Sequence, residues 1–405
     1  MIKNNLNFFN NIQKKNLDSK SIKKFTKLFP KILSKLFTDI NSSKKTLNTL
    51  NKKFNFNFEF KDLEKFKSFK TIAIIGMGGS ILGSEAVSHF LKEKINKKIY
   101  FFNDLNIKKI QNFKKKKNLD KVLFFVISKS GNTVETLSNF FILKIIKKNS
   151  KNIIIISEKK NNLLYSLSKK FNLFYIEHKN YIGGRYSVLS EVGVVPAYLM
   201  GININKLRSG SLKSLKKKTQ LFLKDSTIIL SSLLSFKKIN NLIFLNYCPE
   251  LEKFLFWCQQ LIAESLGKNG KGFLPTISNA PKDHHSLLQL YLDGPKNKLF
   301  YIFSHEESSK EKINIKEILK EKNFLNNKTL SSIKKAQKNA LIKTLKNKNI
   351  PFREFKIKNI NEEVLGELFS YFILETVIIG KLTNINPFDQ PAVEQVKIYT
   401  KDLLN

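Results

Sequence analysis

Thr71-Ile72-Ala73-Ile74-Ile75-Gly76-Met77-Gly78-Gly79-Ser80-Ile81-Leu82-Gly83 reads as a short apolar strand that runs into glycines and then opens a helix. A run without polar alternation suits a strand buried on both faces, as in the centre of a parallel sheet. The glycines let the backbone turn tightly and bring the free amides of a helix start close to an anion. A dinucleotide fingerprint would need glycine at position 81, where Ile81 stands, so the turn does not read as a nucleotide-cofactor site. Working outward, further β-branched and aromatic runs alternate with longer amphipathic stretches: Lys98 to Asn103, Val122 to Ser128, Asn152 to Ser157 and Leu173 to Glu177. The rhythm returns after a Lys/Ser/Leu-rich helical stretch, Ile204 to Lys238, with Asn241 to Asn246, Lys298 to Ser304 and Pro351 to Ile357. This alternation predicts an α/β chain with two α-β-α sandwiches built on parallel sheets, plus N-terminal helices and a C-terminal closing helix. The expected units are an N-terminal helical segment at 1-55, a first sandwich at 56-203, a linker helix and second sandwich at 204-385, and a C-terminal helix at 386-405 that contributes to the site.

Length agrees, since 405 residues exceed what one hydrophobic core usually serves. Apolar residues make up 42% and charged residues 26%, a globular rather than a disordered composition. The formal net charge is +40, yet Arg185, Arg208 and Arg353 are the only arginines. Sequence-reading nucleic-acid interfaces lean on the bidentate arginine fork, so a specific nucleic-acid partner is not expected. A joint excess of Lys, Asn, Ile and Phe reads as coding drift at tolerant surface positions. Cys248 and Cys258 are too few for a disulfide framework and lack metal-ligand spacing, which fits a reducing, cytoplasmic setting. The polar, basic N-terminus does not read as a secretory signal, and no apolar run reaches membrane-spanning length.

Five further stretches carry chemistry. In Ile127 to Thr136, the hydroxyls of Ser128, Ser130, Thr133 and Thr136 gather at a helix start, where convergent neutral donors suit a phosphate; a helix cap alone needs one. Gly183-Gly184-Arg185-Tyr186-Ser187 places an arginine in a chain that otherwise uses lysine, which points to a need for a fixed planar fork, either for an oxyanion or for a structural ion pair. Phe254, Trp257, Cys258 and Leu261 form an apolar helical stripe, and Glu264 lies on its edge as a candidate general base. Lys282-Asp283-His284-His285-Ser286 offers an acid/base imidazole; adjacent histidines point different ways and make a poor metal pair. In Asn386 to Lys397, Gln390 stands at the mouth of a helix and Lys397 two turns along it.

In this order, over Thr71 to Lys397, the six stretches resemble the phosphoglucose isomerase family, whose members carry two sugar-isomerase (SIS) domains. The resemblance implies interconversion of glucose-6-phosphate and fructose-6-phosphate through an enediol, in glycolysis and gluconeogenesis. It implies Glu264 as the base, Arg185 as the oxyanion partner, and His285 and Lys397 as aids to ring opening. Ser128, Ser130, Thr133 and Thr136 would hold the phosphate, while Gly79, Ser80 and Gln390 line the sugar. A homodimer with His285 supplied across the interface is implied, with no metal and no cofactor. The chain departs from the family pattern at His284 for Gln, Asn132 for Thr, Ala392 for Gly and Ser84 for Pro. Two other functions fit part of the pattern: an isomerase that also accepts mannose-6-phosphate, and a non-catalytic sugar-phosphate-binding regulator that would need neither Glu264 nor Lys397.

Overall fold

The computed structural model describes residues 6–13, 17–236, 238–307, 309–315 and 323–405. Its first sheet has five parallel strands in the order β3-β2-β4-β5-β6, with β2 at Thr71–Gly76, β3 at Lys98–Phe102, β4 at Val122–Ile127, β5 at Ile153–Ser157 and β6 at Phe174–Glu177. β4 and β5 are buried along their whole length, as their unbroken apolar sequences require. The second sheet runs β1-β10-β9-β7-β8, with β1 at Leu6–Asn11, β7 at Asn241–Asn246, β8 at Leu274–Asn279, β9 at Lys298–His305 and β10 at Phe352–Ile357. It is parallel except for β1, which pairs antiparallel with β10. Helices cover both faces of each sheet, and one continuous core joins the inner faces of the two units. Within it, helix Leu82–Phe90 of the first unit packs on helix Glu252–Leu266 of the second.

The strands expected from sequence are present within a residue or two at either end. Two strands were not foreseen. Residues 1–55 read as helices, and Ser19–Asn41 is one, capped by Asp18; Leu6–Asn11 is instead an edge strand, which uses Phe8 to pack on Phe355 and Tyr371. The rest of that expectation at residues 1–5 and 14–16 lies outside the described residues. Leu274–Asn279 contains Pro275, which argues against a central strand but is tolerated at an edge, where β8 sits. No helix among the described residues is long and apolar enough to cross a membrane.

The strand order of the first sheet reverses between β2 and β4, since the chain goes from β2 outward to β3 and then returns past β2 to β4. Beyond the carboxyl ends of two such strands lies the crevice where open α/β sheets bind ligands. The glycine turn after β2 and the hydroxyl turn after β4 both open into it.

Candidate active site

A cavity of about 890 Å³ occupies this crevice, bounded by Met77 to Ser80, Lys129 to Glu135, Gly184, Arg185, Gln260, Glu264 and the stretch from Gln390 to Lys401. With Glu158 and Lys160, which also line it, six sequence-separated segments meet at one place. Their approach depends on Gly79: a Cβ there would lie 2.1 Å from the carbonyl carbon of Gly184, so only glycine lets these two turns touch.

Arg185 is the hub. Its side chain is 2% exposed, and every donor has a defined acceptor. Nε donates to Ser265 Oγ at 2.8 Å, Nη1 to Gln390 Oε1 at 2.8 Å and Glu264 Oε2 at 3.2 Å, and Nη2 to the carbonyls of Pro387 at 2.7 Å and Asp389 at 2.9 Å. The sequence left open whether this arginine makes a structural ion pair or faces an oxyanion; it is tied into the fold and also lines the cavity.

Glu264 sits where helix Glu252–Leu266 changes from buried to open. Ser265 and Leu266 are buried, whereas the Glu264 side chain is 29% exposed, so a ligand can reach it. Gln260, one helical turn earlier, donates Nε2 to Glu264 Oε1 at 2.9 Å. Both carboxylate oxygens are thus held, one by Gln260 and one by Arg185, which fixes the plane of the carboxylate. Gln260 itself lines the cavity, and its Oε1 is buried without a hydrogen-bond partner among the described residues.

The hydroxyl turn divides. Ser130 and Thr133 line the cavity. Ser128 is buried beneath them, hydrogen-bonded to Thr133 Oγ1 at 2.8 Å and accepting from the Gly131 amide at 3.2 Å. Thr136 points into the protein, and its buried Oγ1 has no partner among the described residues. Neither Ser128 nor Thr136 is on the cavity wall. Lys129 is, though the sequence reading passed over it: Nζ donates to the Asn180 carbonyl at 2.8 Å and lies 3.6 Å from Glu158, and burial pulls its pKa below the usual lysine range.

Gly79, Ser80 and Gln390 line the cavity. Lys397 lines it from the C-terminal helix Glu394–Leu404, none of whose residues is buried, and pairs with Glu394 at 2.6 Å. His285 does not line it. The turn Lys282–His285 follows β8, where Asp283 accepts from Ser278 Oγ and the Asn279 amide, and His284 Nε2 meets the buried Tyr247 hydroxyl at 2.6 Å. Of the two imidazoles, His284 is the one engaged by its own chain. Among the described residues, no group of three or more His, Cys, Asp or Glu is arranged to hold a metal ion.

What sequence reasoning missed, Lys129 and Gln260, it had in view: one is embedded in the hydroxyl stretch, the other stands at the i−4 position from Glu264.

Residues 34–405 match the family described as phosphoglucose isomerase. A probable glucose-6-phosphate isomerase of Methanococcus maripaludis is 35% identical over 384 residues, covering 88% of this chain and 86% of that protein. The glucose-6-phosphate isomerase of Methanocaldococcus jannaschii is 32% identical over 350 residues, covering 83% and 85%. The crystal structure of a glucose-6-phosphate isomerase from Chlamydia trachomatis superposes with a TM-score of 0.76 at 16% identity, covering 99% of this chain and 88% of that one, a likeness of fold.

Proposed function

The chain belongs to the phosphoglucose isomerase family, and we propose that it interconverts glucose-6-phosphate and fructose-6-phosphate with Glu264 as the proton shuttle. The observation that carries the assignment of roles is the clamped Glu264 carboxylate, reachable from the cavity and flanked by a fully committed guanidinium.

The phosphate binds at the carboxyl end of β4, where Ser130, Thr133 and the Lys129 ammonium converge. Ser128 acts one step back, orienting Thr133 through their shared hydrogen bond; Thr136 supports the turn from below. Gly79, Ser80 and Gln390 line the sugar. With the open-chain aldose in place, the Glu264 carboxylate takes the proton from C2, the electron pair moves into a C1–C2 double bond, and the carbonyl oxygen gains negative character. Arg185 stabilises that charge as a cation whose position the fold has already fixed. The proton of the C2 hydroxyl passes to O1, the protonated Glu264 returns its proton to C1, the C2–O bond becomes a carbonyl, and fructose-6-phosphate results.

Ring opening requires a proton to leave the anomeric hydroxyl and another to reach the ring oxygen. Lys397 serves from the C-terminal helix. His285, held on the surface by a turn whose Asp283 and His284 are both engaged, serves the cavity of a second copy, which makes the working form a homodimer. The reaction belongs to glycolysis and gluconeogenesis, and we place it in the cytoplasm, a compartment that keeps the unpaired, buried Cys248 and Cys258 reduced.

The test is a coupled assay of fructose-6-phosphate conversion to glucose-6-phosphate by the purified protein and by Glu264→Gln, a change that keeps the hydrogen-bonding shape and removes the base. Turnover should fall by at least about a hundredfold with a small change in KM. Near-normal turnover in the variant would remove Glu264 from the role.

A further inference from the structure

Residues 385–390 follow helix Glu362–Leu382 in no regular structure, yet they carry Gln390 to the cavity. Backbone carbonyls outside helices and sheets need other donors, and here two cations supply them. Arg185 takes the carbonyls of Pro387 and Asp389, while Lys268 Nζ donates to the Asn386 carbonyl and, at 2.6 Å, to Asp389 Oδ1. The other Asp389 oxygen accepts from Asn386 Nδ2 at 2.8 Å, which closes the stretch on itself. The hydrogen bond from Lys268 holds the Asp389 carboxyl below the usual carboxylate range, so it is ionised at neutral pH.

Lys268 stands two residues past the end of the helix that carries Glu264. A lysine there has a plain explanation, since cations complement a helix C-terminus by meeting its last carbonyls. Its ammonium instead reaches residues 118 and 121 positions further along the chain, and only 12% of its side chain is exposed. The end of the Glu264 helix is thereby tied to the stretch that holds Arg185. That stretch bears on three groups of the site. Its carbonyls fix Arg185 Nη2, its Gln390 Oε1 accepts from Nη1, and it leads into helix Glu394–Leu404, which has no buried residue of its own to fix Lys397 in place.

We propose that Lys268 is a positioning residue for the isomerisation: acting through Asn386 and Asp389, it sets where Arg185, Gln390 and Lys397 stand relative to Glu264. The inference rests on the isomerase reading of the cavity. Phosphate binding at the carboxyl end of β4 uses none of these residues, so the tie governs turnover rather than capture of the substrate.

The experiment is steady-state kinetics of fructose-6-phosphate conversion by the unsubstituted protein, Lys268→Met, Lys268→Arg, Asp389→Ala and the double variant Lys268→Met, Asp389→Ala. A displacement of about 1 Å can cost about a hundredfold in rate, so Lys268→Met should lower kcat at least about tenfold. KM and competitive inhibition by inorganic phosphate should stay within about threefold. Lys268→Arg, which keeps donors for both acceptors, should recover most of the loss. Because Lys268 acts partly through Asp389, Lys268→Met should cost at least about threefold less in the Asp389→Ala background than alone. Should Lys268→Met not fold, Asp389→Ala, at a half-exposed side chain, should by itself lower kcat at least about threefold with phosphate inhibition unchanged. A kcat within about twofold of normal in Lys268→Met, or in Asp389→Ala where that variant stands in for it, would overturn the inference while the unsubstituted protein stays active, as would a loss of equal factor in both backgrounds. An unsubstituted protein without isomerase activity would overturn the reading of the cavity, and this inference with it.

Discussion

Arg185 makes five hydrogen bonds to five different residues, and no other cation could make them. A lysine ammonium has three donors on a flexible stem and cannot lie in the plane shared by Ser265, Glu264 and the Pro387 carbonyl. Arg185→Lys keeps the charge and should still lower kcat by about a hundredfold or more, because the Glu264 carboxylate loses a partner and the cation beside the oxyanion is no longer held in place. Steady-state kinetics on a variant with an unchanged circular dichroism spectrum checks this, and retention of most activity would leave Arg185 as a structural ion pair. The same residue marks where sequence was informative. In a chain that spends lysine almost everywhere, an arginine stands out because the position excludes the commoner cation. Gln260 and Lys129 gave no such signal, since glutamine on a helix and lysine in a turn are ordinary until the fold places them on a wall.

Between elements, helix Ile204–Ser211 packs closely on helix Glu362–Leu382. Each contributes a glycine: a Cβ on Gly210 would fall 2.0 Å from the Glu363 carbonyl oxygen, and one on Gly366 would fall 1.9 Å from that of Leu207. Backbone therefore packs on backbone. Gly366→Ala should gain helix propensity of about 1 kcal/mol but force the helices apart, for a net destabilisation of about 1–3 kcal/mol in urea unfolding; a stabilised variant would show that the helices can separate freely. Elements of this kind set the limit of sequence reading. β2, β4, β5 and β7 were legible because strands buried on both faces need unbroken apolar runs. β1 and β8 were not: Leu6–Asn11 is half asparagine and Leu274–Asn279 holds a proline, and each is a strand only because a sheet edge is there to receive it. Likewise Ser128 and Thr136 counted as site residues by their position in a motif, while the helix start after β4 turns one beneath Thr133 and the other into the core.

At the scale of the molecule, two buried titratable groups act on stability with opposite sign. Burial pushes the His178 imidazole at the end of β6 down to about 4, so it folds neutral. Below its unfolded value of 6.5 the unfolded chain takes up a proton that the folded one does not, and stability falls as the pH drops from about 6.5 to about 4. Burial raises Glu367, on helix Glu362–Leu382, to about 7, more than the nearby Lys213 and Lys216 lower it; Lys213 is already committed to Glu363 at 2.6 Å. Here the folded state keeps the proton that the unfolded state releases, so stability falls as the pH rises from about 4.5 to about 7. The two slopes cancel between about 4.5 and 6.5 and leave a plateau that declines on both sides. Glu367→Gln removes the alkaline decline and leaves that of His178. The variant should match the unsubstituted protein near pH 4.5 and exceed it by up to about 3 kcal/mol at pH 8, the value of a shift of some 2.5 pK units. Urea unfolding across this range reads the difference, and a gap that stays constant with pH would mean that Glu367 is ionised in the folded protein.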